Sequence, residues 1–178
     1  MAQLLEMQTR PAGVPGPGRW VVDPARTRVT CSGRASRIAP AVRAWFRATT
    51  GAVDIAADHG KSSLEVTIDI ASVTTGRAVW DLAIQTADPL SAAAYPTATY
   101  RSCSITWTEP GHAEIDGELE LAGATQPVSL AVRYRHQDAI ELAATGSIVS
   151  RDRLNIPGLS YLVPRQFALD IETVAVPA

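Results

Sequence analysis

The sequence predicts an all-β domain: an antiparallel barrel of about eight strands. Apolar and polar residues alternate over most of the chain, as in the run from Val66 to Ile70, and this period of two is typical of strands with one dry and one wet face. Short turns that contain glycine, such as Pro110-Gly111 and Gly123-Ala124, separate the alternating segments. Because an open sheet leaves unpaired edges, this series of short strands favours a closed barrel.

The elements can be predicted in chain order. Residues 1–18 end in three prolines and three glycines within eight positions and are predicted to be a flexible leader, whereas residues 19–178 form the barrel domain. Between Thr74 and Ala94 the alternation stops. A connection with one or two short helices is expected there, over Ala78–Thr86 and Ser91–Ala94, because Pro89 separates two segments without a strand pattern.

Composition excludes several classes of protein. The net charge of −2 offers no basic stripe for nucleic acid, and Lys61 is the single lysine among 16 cationic residues. No apolar run approaches the roughly 20 residues of a membrane-spanning helix. The N-terminal residues lack a basic start and a long apolar stretch, so no signal peptide and a cytoplasmic location are expected. In that compartment Cys31 and Cys103 are predicted to be free thiols.

No catalytic or metal-binding motif is evident. His59, His112 and His136 lie far apart in sequence, and no two of them have the spacing of metal ligands. The cysteines form no C-x-x-C pair, and there is no G-x-S-x-G or glycine-rich phosphate loop. We therefore expect no metal, no cofactor and no enzymatic activity.

Several short motifs, in order, cover nearly the whole domain. They are Val-Val-Asp-Pro at 21–24, Thr-Gly-Ala-Val-Asp at 50–54, the run 63–76, Tyr-Pro-Thr at 95–97 with Tyr-Arg-Ser at 100–102, the run 117–130, the run 144–151 and Leu-Asp-Ile-Glu-Thr-Val at 169–174. With these motifs the chain resembles the YceI-like family. The resemblance implies a lipocalin-like barrel that binds a polyisoprenoid lipid.

The chain departs from the family pattern at several places. Arg26 and Thr27 stand where the family usually has a His-Ser pair, and Ala44 replaces a glycine. After Gly76 the family pattern is Arg-Asp-x-His-Leu, whereas this chain has Trp80-Asp81-Leu82-Ala83-Ile84 and keeps only the aspartate. The resemblance therefore implies the fold and the ligand class, but not the identity of the lipid head-group.

The interior of an eight-stranded barrel is either filled by its own side chains or wide enough for one slim ligand. Low aromatic content (6%) and small residues over 143–147 favour a ligand cavity here. A linear hydrocarbon would fill such a cavity, and the resemblance to the YceI-like family implies that it is an isoprenoid chain, either a polyprenyl compound or an isoprenoid quinone. The residues expected to line the cavity are Val66, Ile68, Ile70, Leu119, Leu121, Val128, Leu130, Val132, Ile148, Phe167, Leu169 and Ile171.

The connection after Gly76 is expected to lie at the mouth of the barrel. Its apolar residues Trp80, Leu82, Ile84 and Leu90 are expected to form a lid, with Asp81 beside them. Arg151, in the triplet Arg-Asp-Arg, is placed at the mouth as a candidate for holding an anionic head-group; the alternative is a solvated turn.

Two other functions remain open at this point. The barrel could be a small enzyme that acts on a lipophilic substrate, which a buried acid or base of perturbed pKa would favour. It could also have a packed interior and act as an interaction module through its outer surface, including as a homodimer, which an exposed apolar patch would favour.

Overall fold

The computed structural model describes residues 13–150 and 156–178. Within these ranges the chain is built mainly of antiparallel strands, with one α-helix and three short 3-10 turns at Pro24–Arg26, His59–Lys61 and Ser160–Leu162. The helix, α1, spans Ala78–Ala87. The strands are β1 Gly18–Val22, β2 Arg28–Gly33, β3 Val42–Ile55, β4 Ser63–Thr74, β5 Thr97–Glu109, β6 His112–Leu121, β7 Ala124–His136, β8 Ile140–Val149 and β9 Gln166–Pro177.

The strands form a closed barrel, as predicted. From β3 to β9 each strand pairs antiparallel with the next one along the chain. The first and last of these strands, β3 and β9, do not pair with each other; β1 and β2 lie between them and pair with both. The pairing of β3 with β4 completes the ring. Since each strand of the ring has two neighbours, the ring has no free sheet edge.

The nine strand segments occupy eight positions around the barrel. β1 pairs with the end of β3 and with the end of β9, whereas β2 pairs with the beginning of β3 and the middle of β9. The two segments are therefore one interrupted strand. The interruption is the 3-10 turn that begins at Pro24, where Asp23 Oδ1 accepts a hydrogen bond from the backbone N–H of Ala25. Proline lacks the N–H that a continuous ladder would need.

The alternation predicted from the sequence places every second side chain inside. In β6 the inward residues Ala113, Ile115, Gly117 and Leu119 are buried, while the alternating residues Glu114, Asp116 and Glu118 are exposed. The same pattern in β7 buries Val128, Leu130, Val132 and Tyr134. A single core thus lies along the bore of the barrel.

The two ends of the barrel differ. At the end where β4 leaves the barrel for α1, here called the helix end, the connections β2–β3, β4–β5, β6–β7 and β8–β9 come together. At the opposite end, here called the arm end, Val14 and Pro15 are almost completely buried. Residues 1–12 lie outside the described part of the chain, and the leader over residues 1–18 stays a prediction. Within it, Val14 and Pro15 are packed against the barrel.

The connection after Gly76 contains α1 and then a turn. The predicted second helix is instead a hydrogen-bonded turn, in which the backbone N–H of Tyr95 donates to the carbonyl of Ser91. Asp88 ends α1 in a left-handed conformation, and its carboxylate accepts from the backbone N–H groups of Ala92 and Ala93 at 2.6 and 3.0 Å. These side-chain bonds stabilise a turn at the expense of a second helix.

Asp81 joins α1 to the end of β4. Its carboxylate accepts hydrogen bonds from the backbone N–H and the hydroxyl of Thr75, both at 2.6 Å, and from the hydroxyl of Thr74 at 3.0 Å. Burial alone would raise the pKa of Asp81, but the bonds from Thr75, Thr74 and the backbone N–H of Gly76 outweigh it, and the pKa is lowered. The ionised carboxylate therefore stabilises this junction.

The substitution Asp81→Asn is expected to lower the free energy of unfolding at neutral pH by about 1 kcal/mol, because it weakens charge-assisted hydrogen bonds. A lowered pKa in the folded state gives stability that is present above the unfolded pKa and is lost as the pH falls through the folded value. Urea unfolding from pH 7 down to about pH 3 should thus show a smaller acid-induced loss in the variant than in the parent.

The substitution Asp138→Asn is the matched control, since the exposed Asp138 makes no hydrogen bond or ion pair with the described residues. It should leave both the stability at neutral pH and the acid-induced loss unchanged. If the two variants had the same stability at neutral pH and the same acid-induced loss of stability, the stabilising role of the Asp81 carboxylate would be contradicted.

Candidate ligand-binding cavity

An apolar cavity of about 210 Å³ lies inside the barrel, toward the helix end. Strands around the whole ring contribute to its wall, and no charged side chain of the described residues lines it. The wall contains all twelve residues that the alternation placed inside: Val66, Ile68, Ile70, Leu119, Leu121, Val128, Leu130, Val132, Ile148, Phe167, Leu169 and Ile171. Their role in binding a ligand remains a prediction.

The residues expected at the mouth divide into three groups. Trp80, Ile84 and Leu90 line the cavity, and Trp80 is buried. Leu82 differs from the expectation: it is 65% exposed, because the outer side of α1 faces away from the barrel. Asp81 does not line the cavity either, since its carboxylate is bound to Thr74 and Thr75. Arg151 lies outside the described residues.

Several wall residues were not among those predicted. β2 and β3 contribute Val29, Cys31 and Phe46, and the same alternation that identified the other strands could have found them. Ile156 and Val163 also line the cavity, and Ile156 is 3% exposed. They come from the connection between β8 and β9, where no periodic pattern marks which side chains face the bore.

The hydroxyl groups at the wall have hydrogen-bond partners within the protein. The hydroxyls of Thr27 and Thr173 are 2.7 Å apart and bonded to each other, and the hydroxyl of Thr75 donates to Asp81. The Tyr100 hydroxyl lies within hydrogen-bond distance of two backbone carbonyls, those of Val128 at 3.1 Å and Ile115 at 3.3 Å. Because these groups are satisfied internally, the wall offers a ligand mainly hydrocarbon contact.

Cys31 is the wall residue with nucleophilic potential. It is a free thiol, as predicted, and is 8% exposed. Burial raises the pKa of Cys31 to about 12, so the thiol is protonated at neutral pH and its nucleophilic form is scarce. Cys103 is also a free thiol and lies exposed on β5.

The arm end is closed by aromatic side chains. Trp107 stacks edge-to-face on Tyr134 with ring centroids 5.4 Å apart, and Trp20 contacts His136 in the same manner at 5.2 Å. Pro15 lies beside this cluster, at a second cavity of only about 40 Å³. The larger cavity thus lies toward the helix end, and only a small void remains at the arm end.

Among residues 13–150 and 156–178, no group of three or more His, Cys, Asp or Glu side chains is arranged to hold a metal ion. In the same ranges, none of the helical segments has both the length and the apolar character needed to span a bilayer.

Fold and site together define a small antiparallel barrel with a hydrocarbon-lined interior. The sequence matches the model of the YceI-like domain over residues 20–175. The chain therefore belongs to the YceI-like family, and the resemblance drawn from its motifs is confirmed.

Relatives in sequence cover only part of the chain. It is 40% identical over 79 residues to a UPF0312 protein of Ectopseudomonas mendocina, a match that covers 44% of this chain and 41% of that protein. It is also 40% identical over 67 residues to Protein YceI of Escherichia coli O157:H7, covering 38% of this chain and 35% of the other. The matched segments thus span less than half the length of these curated relatives.

Solved structures show the same fold over most of the chain. Burkholderia cenocepacia BcnA superimposes with a TM-score of 0.71 at 21% identity, covering 87% of this chain and 99% of BcnA. A polyisoprenoid binding domain from Saccharophagus degradans superimposes with a TM-score of 0.63 at 14% identity, covering 92% of this chain and all of that domain (100%).

Proposed function

We propose that this protein binds one long isoprenoid lipid, a polyprenyl chain or an isoprenoid quinone, non-covalently inside the barrel and carries or stores it. The observation that carries the proposal is the cavity at the helix end, which is enclosed by apolar side chains from all around the ring. The polyisoprenoid binding domain with the same fold supports this class of ligand.

The chemistry of the wall favours a chain-like hydrocarbon. Each methylene removed from water contributes about 0.8 kcal/mol, so a few prenyl units supply enough free energy for tight binding even after the entropy of association is subtracted. An empty apolar cavity, by contrast, lacks the dispersion contacts that a bound ligand would make with its walls.

Catalysis is the alternative that the wall supports less. An enzyme in this cavity would need an acid, a base or a nucleophile that faces the ligand. The thiol of Cys31 is protonated because burial raises its pKa, and the hydroxyls of Thr75 and Tyr100 are engaged in hydrogen bonds within the barrel. The proposed role therefore needs no reaction step.

The test is a binding titration with geranylgeraniol, a linear prenyl alcohol, followed by quenching of tryptophan fluorescence. Trp80 lines the cavity, so an occupied cavity should change its emission. We expect saturable binding at one molecule per chain. Cholesterol, a rigid ring compound of comparable apolar size, is the control and should bind much more weakly. Absence of saturable geranylgeraniol binding, or equal binding of cholesterol, would overturn the proposal.

A further inference from the structure

Exposed apolar side chains are concentrated at the helix end of the barrel. Among the described residues, six of the eight large apolar side chains that are exposed belong to the helix-end connections or to the strand end beside them: Ile38, Val79, Leu82, Tyr95, Val149 and Tyr161. The turns at the arm end, over 56–62, 110–111 and 137–139, contain no Val, Ile, Leu, Met, Phe, Tyr or Trp. Single exposed apolar residues are ordinary, but such a concentration at one end indicates an interaction surface.

The connection between β2 and β3 holds Ile38 out into solvent. Ile38 is 97% exposed, whereas its neighbour Ala39 is buried. The backbone N–H of Ala39 donates to the hydroxyl of Ser36 at 3.2 Å, and Arg34 Nη1 donates to the carbonyl of Ala39, also at 3.2 Å. Hydrogen bonds within the connection thus fix the backbone beside Ile38, while its side chain remains in water.

The outer side of α1 adds two further apolar side chains. Val79 and Leu82 are exposed, and because they are three residues apart they lie on the same side of the helix. Trp80, between them in sequence, is buried and lines the cavity. The helix therefore has one apolar side toward the barrel and another toward solvent, and packing within the barrel explains only the first.

The helix end also carries unpaired positive charge. Arg37, Arg77 and Arg165 belong to three different connections and are exposed, and their side chains make no hydrogen bond or ion pair with residues 13–150 or 156–178. In the described part of these connections the acidic residues are Asp81 and Asp88, and both carboxylates accept hydrogen bonds within the protein. The exposed charge at this end is thus mainly positive, although the net charge of the chain is −2.

Apolar side chains and arginines alternate on this surface in a way that suits the surface of an anionic bilayer. Arg37 directly precedes Ile38, and Arg77 lies two residues before Val79. Protruding apolar side chains enter the region between head-groups and acyl chains, where a tyrosine such as Tyr161 is also favoured. Guanidinium groups beside them meet the negative potential of the lipid phosphates. A protein partner would instead favour an apolar centre from which charged residues are depleted.

We propose that the helix end is a docking surface for an anionic lipid bilayer. Its main residues are Ile38, Val79, Tyr161, Arg37, Arg77 and Arg165. The inference goes beyond the proposed function, because these side chains favour an anionic bilayer whatever the cavity holds. The cavity lies toward the same end, so a docked barrel turns its cavity end toward the membrane.

The experiment is flotation of the full chain with lipid vesicles in a density gradient. Vesicles of phosphatidylcholine that contain about one third phosphatidylglycerol are compared with vesicles of phosphatidylcholine alone. At low salt we expect the parent to bind the anionic vesicles at least about tenfold more tightly than the neutral ones, because several arginines face the charged surface. Raising the salt to about 0.5 M should remove most of this difference.

Two double variants separate the apolar from the charged contribution. Ile38→Gln/Val79→Gln should weaken binding to anionic vesicles at least about tenfold, because two apolar side chains no longer enter the bilayer. Arg37→Gln/Arg77→Gln should weaken it by a similar factor and should remove most of the preference for anionic over neutral vesicles.

Each double variant has a matched control. Val21→Gln/Val176→Gln removes two exposed apolar residues that face each other in the ladder between β1 and β9, near the arm end. Arg26→Gln/Arg133→Gln removes two exposed charges that lie outside the helix-end connections and have no ion pair within the described ranges. Both controls should bind vesicles as the parent does. Thermal unfolding close to the Tm of the parent shows that all four variants are folded.

Several results would overturn the docking surface. They are no binding of the parent to either kind of vesicle, equal binding to both, and unchanged binding by the two helix-end variants. A stable dimer of the parent in sedimentation velocity that dissociates in Ile38→Gln/Val79→Gln would assign the surface to a second copy of the chain and would overturn the proposal as well.

The titration with geranylgeraniol keeps the two proposals distinguishable. Saturable binding of geranylgeraniol without binding to vesicles would overturn the docking surface and leave the proposed function intact. Vesicle binding that follows the expected pattern, without binding of geranylgeraniol, would support the docking surface and contradict only the proposed function.

Discussion

Replacing Ala144 with phenylalanine is expected to weaken binding of a prenyl chain at least about thirtyfold without unfolding the protein. Ala144 is 8% exposed, lines the cavity and lies in register between Val132 and Ile171. A phenyl ring at this position points into the bore and occupies space that the ligand would use. Displacing two or three methylenes costs about 2 kcal/mol, so the affinity for geranylgeraniol should fall at least about thirtyfold.

The stability of this variant distinguishes a filled cavity from a disrupted core. Because the ring enters existing space, the free energy of unfolding should change by no more than about 1 kcal/mol, whereas overpacking a solid core would cost about 1–3 kcal/mol. The substitution Thr145→Phe, on the outer face of the same strand, is the control and should leave binding unchanged. Full binding by the Ala144→Phe variant would contradict the location of the ligand.

The second large effect is expected at Gly117, on the inner face of β6. An added Cβ would lie 2.6 Å from Cζ and Oη of the Tyr100 ring, and it would clash with the backbone carbonyl of Arg101. The carbonyl belongs to the paired strand and cannot move away without breaking the ladder. Tyr100 would also lose its bonds to the carbonyls of Ile115 and Val128. Gly117→Ala should therefore lower the free energy of unfolding by about 3 kcal/mol.

Thermal unfolding provides the measurement. A loss of that size corresponds to a decrease in Tm of about 10 °C for a domain of this length. Gly60→Ala is the control, because the nearest atom to its added Cβ is Asp58 Oδ1 at 3.5 Å, an ordinary contact. It should leave Tm almost unchanged. A Gly117→Ala variant as stable as the parent would show that Tyr100 and β5 can shift away from β6.

The sequence predicted the features that depend on local pattern. Alternation assigned the inner faces of β4, β6, β7 and β9 correctly, because a strand buried on one side must place every second residue in the bore. The lining residues Val66, Leu119 and Ile171 follow directly from that rule. The helix after Gly76 was also predictable, since the pattern of the strands stops there.

Features that depend on contacts between distant segments were not predictable. Pro15 and Val14 belong to a glycine- and proline-rich segment without a period, yet tertiary contacts bury them at the arm end. One groove outside the barrel is lined by Arg34 from the β2–β3 connection, Arg43 from β3 and Arg77 before α1, and only the pairing of β3 with β4 brings them together. No local signal marks such residues as neighbours.

The central claim is that the bore of the barrel holds one lipid chain. Native mass spectrometry of the purified protein after addition of geranylgeraniol tests it most directly. The account predicts a single additional mass equal to one geranylgeraniol per chain, abundant in the parent and in Thr145→Phe and strongly reduced in Ala144→Phe. The claim would be contradicted if the parent protein showed no mass other than that of the bare chain, or if all three proteins bound geranylgeraniol equally.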